Sequence, residues 1–193
     1  MGEIRELRIN EIIEAAISEF LEKGYDNASM EGIARRANLS KGGLYHHFKS
    51  KAEILIAVNQ KFTEPIQAMM EKIESAPSLP DGLKQYLTDY LTYWDQHRRE
   101  LSLYFLTMDE SFSNPELMAL YKDSAREMFD YFGYLFSKGQ EQGVFRRRNA
   151  RAQAVAMISC LDGFLAYLLI DDTLTIETIG AEIHHLFIDQ NLK

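Results

Sequence analysis

Apolar residues recur every three or four positions along almost the whole chain, and this spacing limits the possible folds more than any other feature. The first apolar set is Ile9, Ile12, Ile13, Ala16, Ile17, Phe20 and Leu21. Residues spaced in this way share one face of an α-helix. The same spacing returns in later segments, and the alternation typical of strands does not stand out. We therefore predict an all-α fold.

Turn and capping residues divide this pattern into separate helices. Gly24 can end the first helix, and Ser29 and Ser40 can each cap a short one. A further helix is expected over 51–74, with a kink at its proline, and the proline- and glycine-containing segment 75–82 is the best candidate for a break.

Beyond this break we expect a helix over 83–94. Asn114-Pro115 can then start a long helix that ends near residue 143, and two more are expected over 152–170 and 176–187.

Composition and charge restrict the class of protein. A hydrophobic content of 46% can bury a core, and the net charge of −8 disfavours a generally basic nucleic-acid binder. The charge is uneven, however, because residues 23–51 hold six basic side chains against two acidic ones. A local basic patch on an acidic body suits a protein that touches phosphate at one face, although random clustering gives the same count. The single cysteine, Cys160, excludes an internal disulfide framework and fits a reducing compartment.

No apolar run reaches the roughly 18 residues that a membrane-spanning helix needs, and the segment 1–6 lacks the order of a signal peptide. We therefore expect a cytoplasmic protein that makes no membrane contact.

The stretch NLSKGGLYHHFKSK, residues 38–51, lies where a second short helix follows the first after a tight turn. At about 100° per residue, Leu44 and Phe48 point inward on this helix. Gly42, His46 and Lys49 point outward, and Tyr45 lies on the flank. Two short helices with small residues at their contact meet the requirements of a helix-turn-helix.

The run from Ser29 through GIARRANLSKGGLYHHFKSKAEIL resembles the N-terminal helix-turn-helix of the TetR-type transcriptional repressors. Their pattern is a capping Ser or Thr, Ile-Ala, Ala-Gly, Ser-Lys-Gly, Leu-Tyr, a histidine, Phe and Lys-x-Lys. The match extends from about Ile9 to Leu55. Asn38 stands where a turn glycine is usual, and Gly43 stands where Thr, Ser or Ala is common, so one base-reading side chain is missing.

The resemblance implies a helix-turn-helix DNA-binding domain over 1–50. It also implies a helical regulatory, ligand-binding and dimerisation domain over 51–193. It places Lys41, Gly42, Gly43, Tyr45 and His46 at the major groove. It places Ser29, Tyr45, His47 and Lys51 near phosphates. The predicted DNA-binding set is Ser29, Ser40, Lys41, Gly42, Gly43, Tyr45, His46, His47, Lys49 and Lys51.

The later helices are rich in aromatic and methionine side chains, which suit an apolar or aromatic small molecule. The predicted effector-binding residues are Tyr90, Trp94, Tyr104, Phe105, Met108, Phe112, Met128, Tyr131, Phe132, Met157 and Phe164. A filled core is the alternative for each of them. The resemblance favours a ligand pocket among this set.

Operators of such repressors are palindromes read by two-fold dimers, so a self-complementary apolar surface is needed. The best candidates are the all-round apolar segment 152–170 and the last helix with Ile179, Ile183 and Leu186. Internal core is the alternative for both. The run Arg146-Arg147-Arg148 is expected in a solvated loop, with anion binding as an alternative.

Together these features predict a homodimeric repressor that binds a palindromic double-stranded DNA operator and responds to an unknown small molecule. A DNA-binding regulator without such a ligand, controlled by a partner protein or constitutive, is the alternative. A metal site at His46-His47 is disfavoured because neighbouring helical residues diverge, and the chain lacks a Walker loop. No nucleophile and base pair or cofactor loop is found, so we expect neither an enzyme nor a bound cofactor.

Overall fold

The computed structural model describes residues 2–193, with side chains from Arg5 onward. Met1 and the side chains of residues 2–4 lie outside this part, which therefore includes only part of the segment 1–6. The described residues form nine α-helices and two short 3-10 helices, and no β-strand occurs among them. The all-α fold class is confirmed. None of these helices is long and apolar enough to cross a membrane.

The helices follow one another with short connections. In chain order, α1 to α9 are Gly2–Asn27, Met30–Arg36, Lys41–His47, Lys51–Glu71, Leu79–Gln96, Arg98–Ser113, Pro115–Glu141, Ala150–Leu168 and Ile176–Phe187. The 3-10 helices are Ile73–Ser75 and Asp189–Asn191.

Several predicted helix ends are confirmed by backbone geometry and capping bonds. Gly24 interrupts α1 with a left-handed φ of 73°, a conformation that glycine adopts without steric penalty. The Asn114 side-chain oxygen accepts the backbone N–H groups of Glu116 and Leu117, at 3.0 and 3.3 Å. Pro115 then begins α7 in the position where its missing N–H is not needed.

Pro65 lies inside α4, in the helix interior where the sequence places it. Two boundaries differ from the sequence prediction. The break expected over 75–82 is shorter, because Ser78 caps α5 by accepting the backbone N–H of Asp81. The sequence did not predict the boundary between α5 and α6 at His97, because no glycine or proline marks this position.

The chain divides into two compact units. Unit 1 comprises the residues up to Glu64 together with Ser102–Leu117, and unit 2 comprises Pro65–Leu101 together with Met118–Lys193. These are units of packing, so the functional division into residues 1–50 and 51–193 stays a prediction.

Each unit has an apolar core of its own. Fully buried side chains of unit 1 include Ile12, Phe20, Ile33, Leu44, Ile54 and Leu55. Those of unit 2 include Leu83, Leu87, Trp94, Phe132, Phe136 and Leu165. In unit 2, α5 packs against both α8 and α9. The Arg146-Arg147-Arg148 run lies in the exposed connection between α7 and α8, as predicted.

Candidate nucleic-acid interface

Two side-chain caps start the short helices α2 and α3. Ser29 Oγ accepts the backbone N–H of Gly32 at 3.0 Å, and Ser40 Oγ accepts that of Gly43 at 3.1 Å. A seven-residue helix is unstable alone, because nucleation fixes many dihedral angles for few hydrogen bonds. The caps therefore supply an important part of what keeps these helices in place.

The turn between α2 and α3 is made by Asn38, which has a left-handed φ of 53°. Asparagine enters this conformation more easily than most residues, as expected from its place in the usual glycine position. The next residue, Leu39, donates its N–H to the carbonyl of Ala34 at 2.8 Å. The two helices are thus joined as a helix-turn-helix, in which α2 packs against both α1 and α3.

The two sides of α3 differ in the way that the sequence predicts. Leu44 is fully buried and Phe48 is 9% exposed. Gly42, Tyr45 and His46 are exposed, with Tyr45 at 37%. We call Gly42, Tyr45, His46 and the following Lys49 the α3 face. The α3 face is a polar surface, and the helix backbone is exposed at Gly42 because this residue has no side chain.

Lys41 stands at the edge of the α3 face and pairs with Glu31 of α2. The hydrogen bond with Glu31 raises the pKa of Lys41, and the same bond lowers the pKa of Glu31. More than half of each side chain is exposed, so the pair is weak and water competes with it. The Lys41 ammonium, 6.0 Å from the centre of the Tyr45 ring, can therefore exchange partners at the surface.

Lys49, the lysine of the α3 face, folds back on the helix. Its ammonium donates to the carbonyl of Tyr45 at 2.8 Å, while its backbone N–H donates to the Glu53 carboxylate at 2.6 Å. These bonds place its positive charge at the C-terminal end of α3, where a cation is favoured by the helix dipole.

The two adjacent histidines lie in different environments. Their ring centres are 5.3 Å apart with planes at 81°, so the rings diverge. His46 is exposed, whereas His47 is half-buried. Burial lowers the pKa of His47, and the nearby charges of His46, Arg5 and Arg8 act in the same direction.

Lys51 does not join the α3 face. Its ammonium is directed at backbone carbonyls at the end of α1, including that of Ala28 at 3.1 Å. Three carbonyl oxygens accept from the ammonium in the chain without DNA, and the phosphate contact of Lys51 stays a prediction.

Glu19 was missed by the sequence analysis and is a buried carboxylate beneath α2. It pairs with Lys23 at 2.5 Å and with Arg36 at 2.6 Å. Burial alone would raise its pKa, but the hydrogen bonds and charges of these two partners outweigh that effect and lower it. Arg36 also binds Glu22, so α1 holds α2 by two carboxylates. The available signal was a glutamate on the apolar stripe of α1, between Ala16 and Phe20.

The predicted effector-binding residues of unit 2 are largely buried. Tyr90, Trp94, Phe132, Met157 and Phe164 are buried, and Met128 and Tyr131 are partly exposed. Aromatic rings meet at Tyr86, whose centre lies 5.7 Å from that of Tyr90 and 5.1 Å from that of Phe132. This packing brings part of the predicted set together and also fits the filled-core alternative.

The remaining predicted effector-binding residues lie on α6 in unit 1. Tyr104, Phe105 and Met108 are partly exposed. Phe112 is 74% exposed, because it lies in the last turn of α6 with its ring in solvent. This exposure does not suit the wall of an enclosed cavity in the single chain, and the effector-binding role of Phe112 stays a prediction.

Two open cavities of this structure are lined by both polar and apolar atoms. One, of about 550 Å³ in unit 1, is lined by Arg8, Glu11, Glu14, Ala15, Ser18, Arg36, Ala37 and Asn38. The other, of about 480 Å³ in unit 2, is lined by Gln67, Met70, Glu71, Glu74 and Tyr131. Tyr131 is the one predicted effector-binding residue on these walls, and its hydroxyl donates to the carbonyl of Met70 at 2.9 Å.

A row of exposed residues follows one side of α8 and continues past its end. It consists of Ala152, Ala156, Ser159, Gly163, Tyr167 and Ile170, which we call the α8 stripe. Gly163 is partly exposed, and a Cβ atom there would meet nothing within 4 Å. Of the predicted interface residues of α9, Leu186 is 42% exposed, Ile179 is partly buried and Ile183 is buried. Ile183 therefore belongs to the core of unit 2, which corrects its prediction as an interface residue.

Family models match both parts of the chain. The model for bacterial regulatory proteins of the tetR family matches residues 12–58, and the model for the C-terminal part of BetI-type transcriptional repressors matches residues 80–187. The second match alone covers more than half of the chain.

A curated relative is also a transcriptional regulator. The chain is 33% identical over 96 residues to IcaR of Staphylococcus epidermidis, an HTH-type negative transcriptional regulator of the biofilm operon icaADBC. The aligned part is 49% of this chain and 50% of that protein, so the chain spans about half the length of this relative.

Solved structures of low identity share the fold. SmeT, in complex with triclosan, superposes with a TM-score of 0.84 at 18% identity, covering 97% of this chain and 92% of its own. AibR, in complex with isovaleryl coenzyme A and operator DNA, superposes with a TM-score of 0.75 at 19% identity, covering 94% and 98%. They share the N-terminal helix-turn-helix and the helical C-terminal domain.

Proteins matched in this way are transcriptional regulators and not enzymes, as expected from the sequence. The helix-turn-helix lies inside the first matched region, and the helices α5 to α9 coincide closely with the second. The chain therefore belongs to the tetR family of bacterial regulatory proteins.

Proposed function

We propose that this regulator is a repressor that binds a palindromic DNA operator as a homodimer and is released by a small apolar or aromatic effector. The observation that carries the proposal is the α3 face, which is exposed and polar while Leu44 and Phe48 anchor the opposite side. In this proposal, residues 1–50 bind DNA and residues 51–193 bind the effector and the second subunit. An operator partner also implies a cytoplasmic protein.

The α3 face suits the DNA major groove for chemical reasons. Lys41 can donate to guanine acceptors, and His46 can donate to or accept from base edges. Gly42 and Gly43 let the helix backbone approach closely, since no Cβ projects from them. These residues and Tyr45 form the proposed base-facing group.

Contacts with phosphate are proposed for side chains around this group. Ser29, Tyr45, His47 and Lys51 are the proposed phosphate neighbours, with Ser40 and Lys49 beside them. Such contacts fix the position of the protein on the duplex without reading its sequence. With Gly43 lacking a side chain, base preference depends on few residues, and DNA shape contributes the rest.

The α8 stripe supports the proposed dimer. Its small residues, Ala152, Ala156, Ser159 and Gly163, allow two helices to approach closely, and its exposed Tyr167 and Ile170 gain from burial. Two identical stripes related by a two-fold axis are self-complementary. Leu186 of α9 adds apolar surface to the same proposal.

The effector is proposed to bind among the aromatic and methionine residues of the C-terminal helices. The triclosan complex of SmeT supports this class of ligand, and the isovaleryl coenzyme A complex of AibR supports an effector with an apolar acyl group. Binding would shift the population toward a dimer whose two α3 helices are misspaced for successive major grooves. For that shift, the effector must bind the two states with unequal affinity.

Selection from a pool of random duplexes tests the proposed DNA binding. The purified full chain is expected to enrich a palindrome whose half-sites lie about one helical turn apart. Enrichment should be lost when His46 and Lys41 are both replaced by alanine, while melting temperature stays near that of the unaltered protein. A pool that stays unenriched by the unaltered protein would refute the proposal.

A regulator without a small-molecule ligand is the second candidate. The burial of Trp94, Phe132 and Met157 is compatible with it, because these side chains can fill the core instead of lining a ligand cavity. Thermal-shift screening with apolar and aromatic compounds separates the two candidates, since a ligand that binds the folded state raises the melting temperature. Consistent absence of stabilisation would favour the second candidate.

A further inference from the structure

One carboxylate lies within the basic helix-turn-helix. Residues 29–51 carry five Lys and Arg side chains, and Glu31 is their single acidic residue. It is exposed on α2 together with Arg35 and Arg36, whereas the other four residues of this helix are buried. A carboxylate near DNA repels phosphate and lowers the affinity for every duplex. Glu31 is therefore unfavourable for DNA binding unless it makes a specific contact.

Glu31 is paired across the turn with the first residue of α3. Its carboxylate accepts a hydrogen bond from the Lys41 ammonium, and both side chains are more than half exposed. This bond lowers the pKa of Glu31, followed by a backbone hydrogen bond within Glu31 itself, so the group is ionised at pH 7. The pair thus presents a hydrogen-bond donor and an acceptor side by side at the edge of the α3 face.

The dipole of α2 gives Glu31 a second possible role. The residue lies in the first turn of this helix, where a negative charge is stabilising. Ser29 already caps the same end by accepting the backbone N–H of Gly32 at 3.0 Å. A dipole role would affect protein stability and would leave base preference unchanged, so the two roles differ in what they predict.

The chemistry of the pair matches one edge of a G·C base pair. In the major groove, guanine presents the acceptors N7 and O6, and cytosine presents its N4 amino group as a donor. A lysine ammonium only donates, and an ionised carboxylate only accepts. Thymine in place of the cytosine would present its O4 oxygen, which a carboxylate repels. Lys41 and Glu31 together can therefore distinguish cytosine from thymine.

We propose that Glu31 is a specificity-determining residue, which accepts from the N4 amino group of a cytosine while Lys41 donates to the paired guanine. This inference rests on the proposed DNA-binding function and deepens it. On a duplex without this base pair, Glu31 stays paired with Lys41 and neutralises its charge. Glu31 therefore weakens binding to random DNA more than binding to the operator.

A base analogue tests the contact with cytosine. In the operator selected by the full chain, each cytosine of a half-site is replaced in turn by 2-pyrimidinone, which lacks the amino group. At one position the unaltered protein should bind about ten-fold more weakly, the usual cost of one wrong base pair. Glu31→Ala should show little further loss there, which controls for the weaker pairing of the analogue. Replacement outside the half-sites should have no effect on either protein.

The salt dependence of affinity tests the effect on random DNA. Glu31→Gln removes the charge and keeps the size of the side chain. It should strengthen binding to a random duplex about ten-fold and to the operator by less. The slope of log affinity against log salt should steepen by about 0.9 on the random duplex, because Lys41 is released to a phosphate. Glu127→Gln removes the same charge from an exposed position of α7 and should change neither quantity.

Several results would overturn this inference alone. They are a selected half-site without a G·C pair, an equal loss on the analogue in the unaltered protein and Glu31→Ala, and an unchanged ratio of operator to random affinity in Glu31→Gln. A lower melting temperature of Glu31→Gln with that ratio unchanged would assign Glu31 to the helix dipole. An unaltered protein that binds no operator would instead overturn the proposed function itself.

Discussion

The α3 face and the α8 stripe are both exposed, yet their chemistry is opposite. The α3 face presents histidine, tyrosine, lysine and bare glycine backbone, which interact well with hydrated, charged surfaces. The α8 stripe presents alanine, glycine and exposed Tyr167 and Ile170, which gain most by leaving water. Exposure alone therefore does not define a binding surface, and the side chains determine which partner each surface can accept.

The largest expected effect comes from placing a charge in the α8 stripe. Ile170→Glu should weaken the dimer at least ten-fold, because a carboxylate at an apolar contact loses its hydration. Operator affinity should fall about a hundred-fold, since two linked half-site contacts become independent. Sedimentation velocity and gel-shift titration measure the two effects.

Gln142→Glu is the matched control, because it adds the same charge at an exposed polar position of unit 2. It should change neither the dimer nor the operator affinity. An Ile170→Glu protein that remains a dimer with full affinity would assign the α8 stripe to another role.

The next effect concerns base preference at the α3 face. Lys41→Ala should lower the affinity for the selected operator by about ten-fold and reduce the discrimination against single-base changes. The physical reason is loss of a donor to base acceptors, in addition to loss of charge. Titration of the operator and its single-base variants by fluorescence anisotropy measures both quantities.

Lys122→Ala controls for the loss of one exposed lysine outside the helix-turn-helix. Equal losses of affinity on all duplexes would reduce Lys41 to a phosphate contact. Glu31→Gln should act in the opposite direction and strengthen binding, because it frees the Lys41 ammonium.

A smaller effect is expected at Gly42, the exposed glycine of α3, where a substitution should change protein stability and operator affinity in opposite directions. A Cβ atom on Gly42 would meet nothing within 4 Å, so Gly42→Ala should raise stability by about 0.5 kcal/mol through helix propensity. Operator affinity should nevertheless fall, because the methyl group prevents close approach of the backbone. Denaturant unfolding and anisotropy titration give the two numbers.

Gly163→Ala makes the same substitution on the α8 stripe, where a Cβ atom also meets nothing within 4 Å in the single chain. It should leave base preference unchanged and alter only the dimer. Higher affinity for the operator in Gly42→Ala would contradict the proposed close approach.

The smallest effect is a pH dependence of binding. Burial, followed by the charges of His46, Arg5 and Arg8, lowers the pKa of His47, so free protein keeps this ring neutral at pH 7. A nearby phosphate would raise that pKa in the complex. Affinity should then increase as pH falls below the pKa of the complex, and level off below the lowered pKa of the free protein.

Operator titrations from pH 8 to pH 5.5 measure this dependence, with His47→Gln as the control that should abolish it. Protein stability should change in the other direction, decreasing as pH falls below about 6.5, since the unfolded chain binds the proton more readily. An affinity that is flat over the whole range would remove His47 from the phosphate contacts.

Much of the fold could be predicted because its signals are local. Apolar spacing indicated the helices, and Ser29, Ser40 and Asn114 cap through bonds that span two or three residues. The inward direction of Leu44 and Phe48 follows from helix periodicity alone. The residues with capping and periodic signals therefore matched the structure well.

The positions that could not be predicted depend on distant partners. Glu19 is paired with Arg36, 17 residues away, and Lys51 is directed at carbonyls more than 20 residues earlier. A lysine at the start of a helix looks solvated until the facing chain is known. For the same reason the sequence did not distinguish exposed Phe112 from buried Phe132.

The amino-acid sequence by itself determined the all-α class, the helix-turn-helix and its family, because these follow from short-range periodicity, caps and a motif in fixed register. Only the tertiary structure decided the partners of each charge and the exposed parts of each apolar helix. Those choices depend on which segments meet after the chain has folded, and a charge or an aromatic ring takes its role from that environment.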